Sequence, residues 1–225
     1  MQHQLYIVGT GSQARYVIEN VRRGLNGKFT GGDEYTIGGL IDLENPQRVG
    51  VIINGHEIIG LMSNIAEKVD PKGARVIVAY GKNKEKEAVV EQLERLGYKF
   101  ATIVSSAAYV SDFVEIGEGS IVNQNATIMP NAQIGRHVII HSGDVIEHDA
   151  NIGDYANIAP GVNFGGRVTI GKGAYVYLGA NLVPDVVVGD YAIVGAGTLV
   201  RENVEANTTV IGVPARVLRR GPKPK

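Results

Sequence analysis

Ile128-Met129-Pro130-Asn131-Ala132-Gln133-Ile134-Gly135-Arg136-His137-Val138-Ile139-Ile140 places aliphatic side chains at a spacing of six. The spacing holds without a gap from Val104 to Val200. It runs through Val104, Val110, Ile116, Val122, Ile128, Ile134, Ile140, Ile146, Ile152, Ile158, Phe164, Ile170, Val176, Leu182, Val188, Val194 and Val200. An amphipathic helix repeats roughly every 3.6 residues and a half-buried strand about every 2. Neither explains an unbroken period of six, which belongs to a β-helix of hexapeptide repeats.

Four residues beyond most of these positions stands a small side chain: Ala108, Ser120, Ala126, Ala132, Ala150, Ala156, Ala174, Ala180, Ala192 and Thr198. Both positions are expected to face a narrow core, where volume is limited. Asp144 falls in the same slot, and a carboxylate there needs partners or water. Gly117, Gly135, Gly153, Gly171 and Gly189 add a second period of eighteen, each directly after an aliphatic position. Three hexads therefore make one coil, with glycine expected to relieve the backbone at a corner. The series predicts roughly five to six coils at about 4.8 Å each, a prism on the order of 25–30 Å long.

The first hundred residues follow a different pattern. Leu5–Val8 reads as a buried strand, Gly9-Thr10-Gly11-Ser12-Gln13-Ala14 as a glycine turn, and Ala14, Val17, Ile18 and Val21 as one face of a helix. Strands are expected at Tyr35–Asp42, Arg75–Tyr80 and Phe100–Val104, and a hairpin at Ile52–Ile59 turning on Asn54-Gly55. Helices are expected around Ser63–Val69 and over Lys84–Leu96. The second would bury Val89, Leu93 and Leu96 and end at Gly97. Alternating β and α elements predict a small Rossmann-like parallel sheet. Gly9-x-Gly11-x-x-Ala14 is a variant of the dinucleotide fingerprint. Its glycines admit phosphate close to backbone N–H groups, at a helix N-terminus that favours an anion. Asp42, ending the second strand, is expected to accept hydrogen bonds from a ribose or a base. The domain lacks the second half of a full dinucleotide site, so a sugar nucleotide is the expected ligand; a simple tight turn is the alternative. Boundaries are expected at 1–103 for this domain, 104–217 for the β-helix and 218–225 for a flexible tail.

The 225 residues are 44% hydrophobic with a formal net charge of −1, enough for two modest cores and no argument for a nucleic-acid partner. There is no cysteine, which removes disulfides and thiolate chemistry and is compatible with the cytoplasm. The N-terminal segment has no basic region or cleavage site of a signal peptide, and no apolar stretch approaches a membrane span.

Of five histidines, His137, His141 and His148 fall in the repeats. They occupy three different slots of their hexads, so they are not expected to share a metal. His148 is set apart by its neighbours Glu147 and Asp149. A carboxylate beside an imidazole fixes its tautomer and raises its basicity, as a general base requires. Gly166 is eighteen residues on, hence one coil above His148, where it leaves space and offers an N–H to an oxyanion.

The chain resembles the nucleotide-linked amino-sugar N-acetyltransferases, which group with sialic acid O-acetyltransferases in the left-handed β-helix superfamily. Within that family the likeness is to the bacillosamine-pathway enzymes acting on a UDP-linked 4-amino sugar. It covers nearly the whole chain. It rests on Gly9–Ala14, Gly39-Leu40-Ile41-Asp42, Val145–Asn157, Ile158-Ala159-Pro160-Gly161-Val162 and Ile211-Gly212-Val213-Pro214-Ala215-Arg216. The resemblance implies a left-handed β-helix and a homotrimer with acetyl-CoA between neighbouring prisms. It implies His148 as general base, Asp149 raising its basicity, Glu147 able to share that role, and Gly166 facing the oxyanion. It implies Asn157, Leu178 and Ala196, with Gly166, along the acetyl-CoA groove. Gly11, Ser12, Gln13, Asp42, Leu43 and Gly81 would hold the sugar nucleotide. Gln13 and Asn157 both stand where relatives carry histidine. The expected reaction is acetyl transfer from acetyl-CoA to the amine of a nucleotide-linked amino sugar, without a metal. The alternatives are O-acetylation of sialic acid or another sugar hydroxyl, a non-catalytic sugar-nucleotide-binding scaffold, and a zinc hydratase.

Overall fold

The computed structural model describes residues 2–221, except the side chain of Arg220. The chain divides into two compact units, Met1–Ser106 and Ala107–Lys225. Val104 opens the sixfold series yet belongs to the first unit, where its carbonyl accepts the Asn26 N–H at 2.8 Å.

In the first unit, β1 (Gln2–Val8) leads to α1 (Ser12–Arg23), β2 (Glu34–Asp42), and the hairpin β3 (Ile52–Ile53) and β4 (His56–Leu61). Next come α2 (Ile65–Lys68), β5 (Ala74–Val78), α3 (Asn83–Arg95) and β6 (Lys99–Phe100). The sheet order is β3-β4-β2-β1-β5-β6, parallel except for the antiparallel β3. Leu5, Ile7 and Val8 of the central β1 are wholly buried, as a two-sided parallel sheet demands. Gly9 ends β1 with φ +108°, and a Cβ there would lie 2.6 Å from the carbonyl oxygen of Ala79. Only glycine permits that approach. The face of α3 differs from expectation. Asn83, Lys86, Val90 and Leu93 are buried, whereas Leu96 is 40% exposed. That stripe runs at i, i+3, i+7, i+10 from Asn83, about a fifth of a turn away from a face through Val89, Leu93 and Leu96, so Val89 is only half-buried. Burial of the Lys86 ammonium pushes its pKa down to about 7. The expected strand Phe100–Val104 is broken in two, with Ile103–Val104 separate from β6.

The second unit is a prism with three parallel faces. Face one stacks Tyr109–Val110, Thr127–Ile128, Val145–Ile146, Asn163–Phe164, Asn181–Leu182 and Leu199–Val200. Face two stacks Glu115–Ile116, Gln133–Ile134, Asn151–Ile152, Thr169–Ile170 and Val187–Val188. Face three includes Ile121–Val122, Ile139–Ile140, Asn157–Ile158, Tyr175–Val176 and Ile193–Val194. Partners stand eighteen residues apart, as in Thr127↔Val145 and Gln133↔Asn151. The aliphatic series from Val122 to Val200 and the small residues from Ser120 to Thr198 are buried inside.

The corner glycines act differently from expectation. Gly117, Gly135, Gly153, Gly171 and Gly189 are not in the left-handed region. A Cβ on Gly117 would lie 2.6 Å from the carbonyl carbon of Gly135, and one on Gly153 2.8 Å from the Lys172 nitrogen. They are small because successive coils touch there. The left-handed turn falls two residues later in the same corners, at Gly119, His137, Tyr155, Gly173 and Tyr191. Non-glycine residues at such turns have φ between +52° and +67°.

Asp144, wholly buried, brackets two coils. Its Oδ2 accepts the His141 N–H at 2.8 Å and its Oδ1 the Val162 N–H at 2.9 Å. Burial pushes the carboxyl up to about 8, against the pull of the Val162, His141 and Gly161 N–H groups.

The last segment also departs from expectation. Arg216–Arg220 runs antiparallel to Thr208–Ile211, which itself lies parallel on Ile193–Val194. Residues 218–220, expected in a flexible tail, are therefore a strand, because the final coil's ladder groups need partners. The expected tail at 222–225 lies outside the described residues. Among the described residues no helix is long and apolar enough to cross a membrane.

Candidate active site

The corner between faces one and two carries Glu147, His148 and Asp149, directly after Val145–Ile146. Asp149 takes the left-handed turn at φ +57°. Three other residues repeat that turn at intervals of eighteen: Asn131 one coil below, Arg167 one above and Asp185 two above. The β-helix thus projects four polar side chains in a column along one edge.

Asp149 Oδ2 lies 2.7 Å from His148 Nδ1, while Oδ1 accepts from Asn131 Nδ2 at 3.2 Å. The hydrogen bonds from His148 and Asn131, with the charges of His148 and Arg167, hold the Asp149 carboxyl below its usual range. With Nδ1 donating to a carboxylate, Nε2 keeps its lone pair and is the basic nitrogen. The other edge of the ring rests against Gly166: a Cβ there would lie 2.6 Å from both Cε1 and Nε2. The ring is thereby fixed between an acid and a bare backbone, with its side chain 47% exposed. Glu147 does something else: its carboxylate accepts the His148 backbone N–H at 3.3 Å.

Arg167 donates its backbone N–H to the carbonyl of His148 at 2.9 Å. Its guanidinium grips Asp185 twice, Nε to Oδ1 at 2.6 Å and Nη2 to Oδ2 at 2.9 Å.

The expected coenzyme-groove residues divide. Leu178, 57% exposed, and Ala196 stack on the corner between faces three and one. Asn157 is wholly buried on face three. Within one protomer, these lie on different edges of the prism from His148. His137 and His141 fall on two further corners, so the three histidines of the prism stand apart. His137 stacks on Tyr155, ring centroids 5.3 Å apart.

In the first unit, Gly11, Ser12 and Gln13 follow β1, Asp42 and Leu43 end β2, and Gly81 follows β5. These three strands are adjacent and parallel, so the residues gather at their carboxyl ends, where open α/β sheets take ligands. A Cβ on Gly11 would meet nothing within 4 Å. Asp42 departs from its expected role. Oδ1 accepts the Glu44 and Asn45 N–H groups at 3.1 and 2.9 Å. Oδ2 accepts the Thr10 hydroxyl and Arg48 Nη1, the latter at 3.3 Å. Burial raises its pKa, but Thr10, Asn45, Glu44 and Arg48 together hold it below the usual range. A carboxylate has about four acceptor sites, and all four are used. Asp42 therefore fixes the loop and Arg48, which also bonds Thr10 Oγ at 2.6 Å and the Thr10 carbonyl at 3.1 Å. No sequence pattern marks Thr10 or Arg48 as partners of Asp42, whereas the eighteen-residue offset from Asp149 points to Asn131, Arg167 and Asp185.

The coils match the left-handed β-helix fold of hexapeptide-repeat acetyltransferases. Among solved structures, the chain is similar to a nucleotide-amino-sugar N-acetyltransferase and to an acetyltransferase domain. Perosamine N-acetyltransferase from Caulobacter crescentus, solved with CoA and GDP-perosamine, is 28% identical over 95% of this chain and 96% of its own, with a TM-score of 0.82. That enzyme has also been solved with a histidine replaced by asparagine or alanine. The acetyltransferase domain of PglB from Neisseria gonorrhoeae, solved with acetyl coenzyme A, is 25% identical over 97% of this chain and 100% of its own, with a TM-score of 0.84. WeeI from Acinetobacter baumannii is 27% identical over 97% and 100%, with a TM-score of 0.73. No family model matches the chain, and no curated protein sequence matches it.

Proposed function

We propose that the protein transfers an acetyl group from acetyl-CoA to the amine of a nucleotide-linked amino-deoxy sugar. The observation that carries this reading is the imidazole held between Asp149 at 2.7 Å and the bare backbone of Gly166. The amine nitrogen attacks the thioester carbonyl, forming a C–N bond and an oxyanion that the Gly166 N–H faces. His148 Nε2 takes the proton leaving the nitrogen. The C–S bond then breaks, and the proton passes to the departing CoA thiolate. Asp149 stabilises the imidazolium formed on the way. Glu147 acts on the backbone beside the ring and lends negative potential.

We read the first unit as Rossmann-like, with Gly11, Ser12, Gln13, Leu43 and Gly81 against the sugar nucleotide and Asp42 acting through Thr10 and Arg48. Leu178 and Ala196 line the acetyl-CoA groove, with Asn157 supporting its wall. Their edge of the prism is not that of His148, so the groove and the base meet when copies pack side by side. A homotrimer satisfies that requirement, in a cytoplasmic setting. Perosamine N-acetyltransferase with its CoA and GDP-perosamine, and the PglB domain with acetyl-CoA, support the substrate class.

The test is release of free CoA by purified protein given acetyl-CoA and a panel of UDP-, dTDP- and GDP-linked amino sugars, with free sialic acid as the hydroxyl acceptor. Turnover only on an amino sugar is expected. Turnover only on sialic acid, or none at all, overturns the reading. His148→Ala should lower kcat at least about a hundredfold, the low end of general-base contributions, with the melting temperature unchanged.

A further inference from the structure

We propose that Arg167 and Asp185 form a positioning pair that keeps Asp149 on the His148 imidazole. The inference rests on His148 being the base, and it concerns residues that do not touch the ring. Arg167 stands one coil above Asp149, about 4.8 Å along the ladder, with its backbone bonded to His148. Its cation acts on the Asp149 carboxylate through space and helps hold that carboxyl below its usual range. An unrestrained guanidinium there would take both oxygens of Asp149 in a forked pair, the geometry arginine favours. Asp149 would then leave Nδ1, and the imidazole would lose its orientation and its counter-charge.

Asp185 prevents this by drawing Arg167 upward with two hydrogen bonds of 2.6 and 2.9 Å. Asn131 secures Asp149 from below at 3.2 Å without bringing a charge. The column therefore alternates neutral donor, acid, cation, acid, and each acid has one duty. As surface ion pairs go, Arg167–Asp185 would add little to stability. Its effect is on which partner Asp149 keeps. The ionisable groups around His148 are Glu147 and Asp149 on its own corner, Arg167 one coil above and Asp185 two above. The corner below, Met129–Ala132, contributes none.

The experiment compares Asp185→Asn, Arg167→Gln and the double variant. In Asp185→Asn, the freed guanidinium is expected to capture Asp149. kcat should fall on the order of tenfold, as when an outer carboxylate behind a histidine is disturbed, with KM for both substrates unchanged. The Nδ1–H bond of His148 to Asp149 should be lost, so the Nδ1 proton resonance should move upfield or vanish by exchange. The double variant has no guanidinium to capture Asp149 and should recover most of the loss. A merely structural role for Asp185 would leave the double variant as impaired as the single one, and would leave that resonance in place. NMR of the His148 imidazole at one fixed pH in the same proteins gives the answer without turnover. Loss of the Nδ1 resonance in Asp185→Asn and its return in the double variant support the pair even if no acetyl acceptor is found. An unchanged resonance in Asp185→Asn overturns it, whatever the fate of the acetyltransferase reading.

Discussion

Gly166→Ala adds one carbon at the place where the structure has least room for it. The new Cβ would lie 2.6 Å from His148 Cε1 and Nε2. Carbon atoms in contact settle at about 3.6 Å, so the ring must retreat by about 1 Å. Retreat costs the imidazole its alignment with Asp149 Oδ2 at 2.7 Å, because Nδ1 lies in the same rigid ring. A misplacement of about 1 Å costs roughly a hundredfold in rate. Gly166 does not occupy the left-handed region, so alanine brings no backbone penalty there. An off-rotamer histidine adds only about 1 kcal/mol. The expected result is therefore a variant that melts within a few degrees of the parent and releases CoA about a hundredfold more slowly. The measurement is stopped-flow or thiol-trap detection of CoA release, paired with a melting curve. A variant with the parent's kcat would refute the placement of the imidazole against Gly166. A variant that no longer folds would show Gly166 to be a packing residue.

Other expectations follow from the same geometry. Asp42→Asn keeps one acceptor oxygen and loses the other with the charge, so Thr10 and Arg48 lose their shared acceptor when the amide oxygen serves the two backbone N–H groups, and each bond to a charged group contributes about 1.5–3 kcal/mol. Sugar-nucleotide affinity should weaken by about tenfold or more by calorimetry, with acetyl-CoA affinity unchanged. Asp144 is the clearest source of pH-dependent stability. Its folded pKa is raised to about 8 from the ordinary 3.8 of an aspartate, so between those values the folded chain holds a proton that the unfolded chain has released. By linkage, its contribution to stability falls as pH rises across that window. Denaturant titrations at several pH values should show that slope in the parent and not in Asp144→Asn. At low pH the variant should be less stable, by about 1–3 kcal/mol for the one N–H group left without an acceptor, and the gap should close as pH rises.

The β-helix was legible in the sequence because its core repeats. Each inward position carries nearly the same volume limit, so a period of six survives as a run of Val and Ile. The corners were less legible because two different constraints produce glycine there. At Gly153 the constraint is contact with the next coil; at Gly119 it is a left-handed turn. Where the second constraint is met by Asp149 or Arg167, nothing in composition marks the turn. His148 and Asp149 could be read as a pair because they are adjacent in the chain. Arg48 could not: it meets Asp42 and Thr10 only through the fold of a loop, 38 residues beyond Thr10. Asp144 looked out of place for a related reason, since its partners Gly161 and Val162 belong to the next coil.

The antiparallel strand Arg216–Arg220 closes a stack whose every other rung runs in one direction. A bare last rung would present amide and carbonyl groups in the register that a second molecule's first rung could continue, and molecules would concatenate end to end into filaments. The reversed strand offers that newcomer the wrong hydrogen-bond phase and places the cations Arg216 and Arg219 on the rim. On that face, head-to-tail continuation of the ladder is opposed by the direction of one short segment.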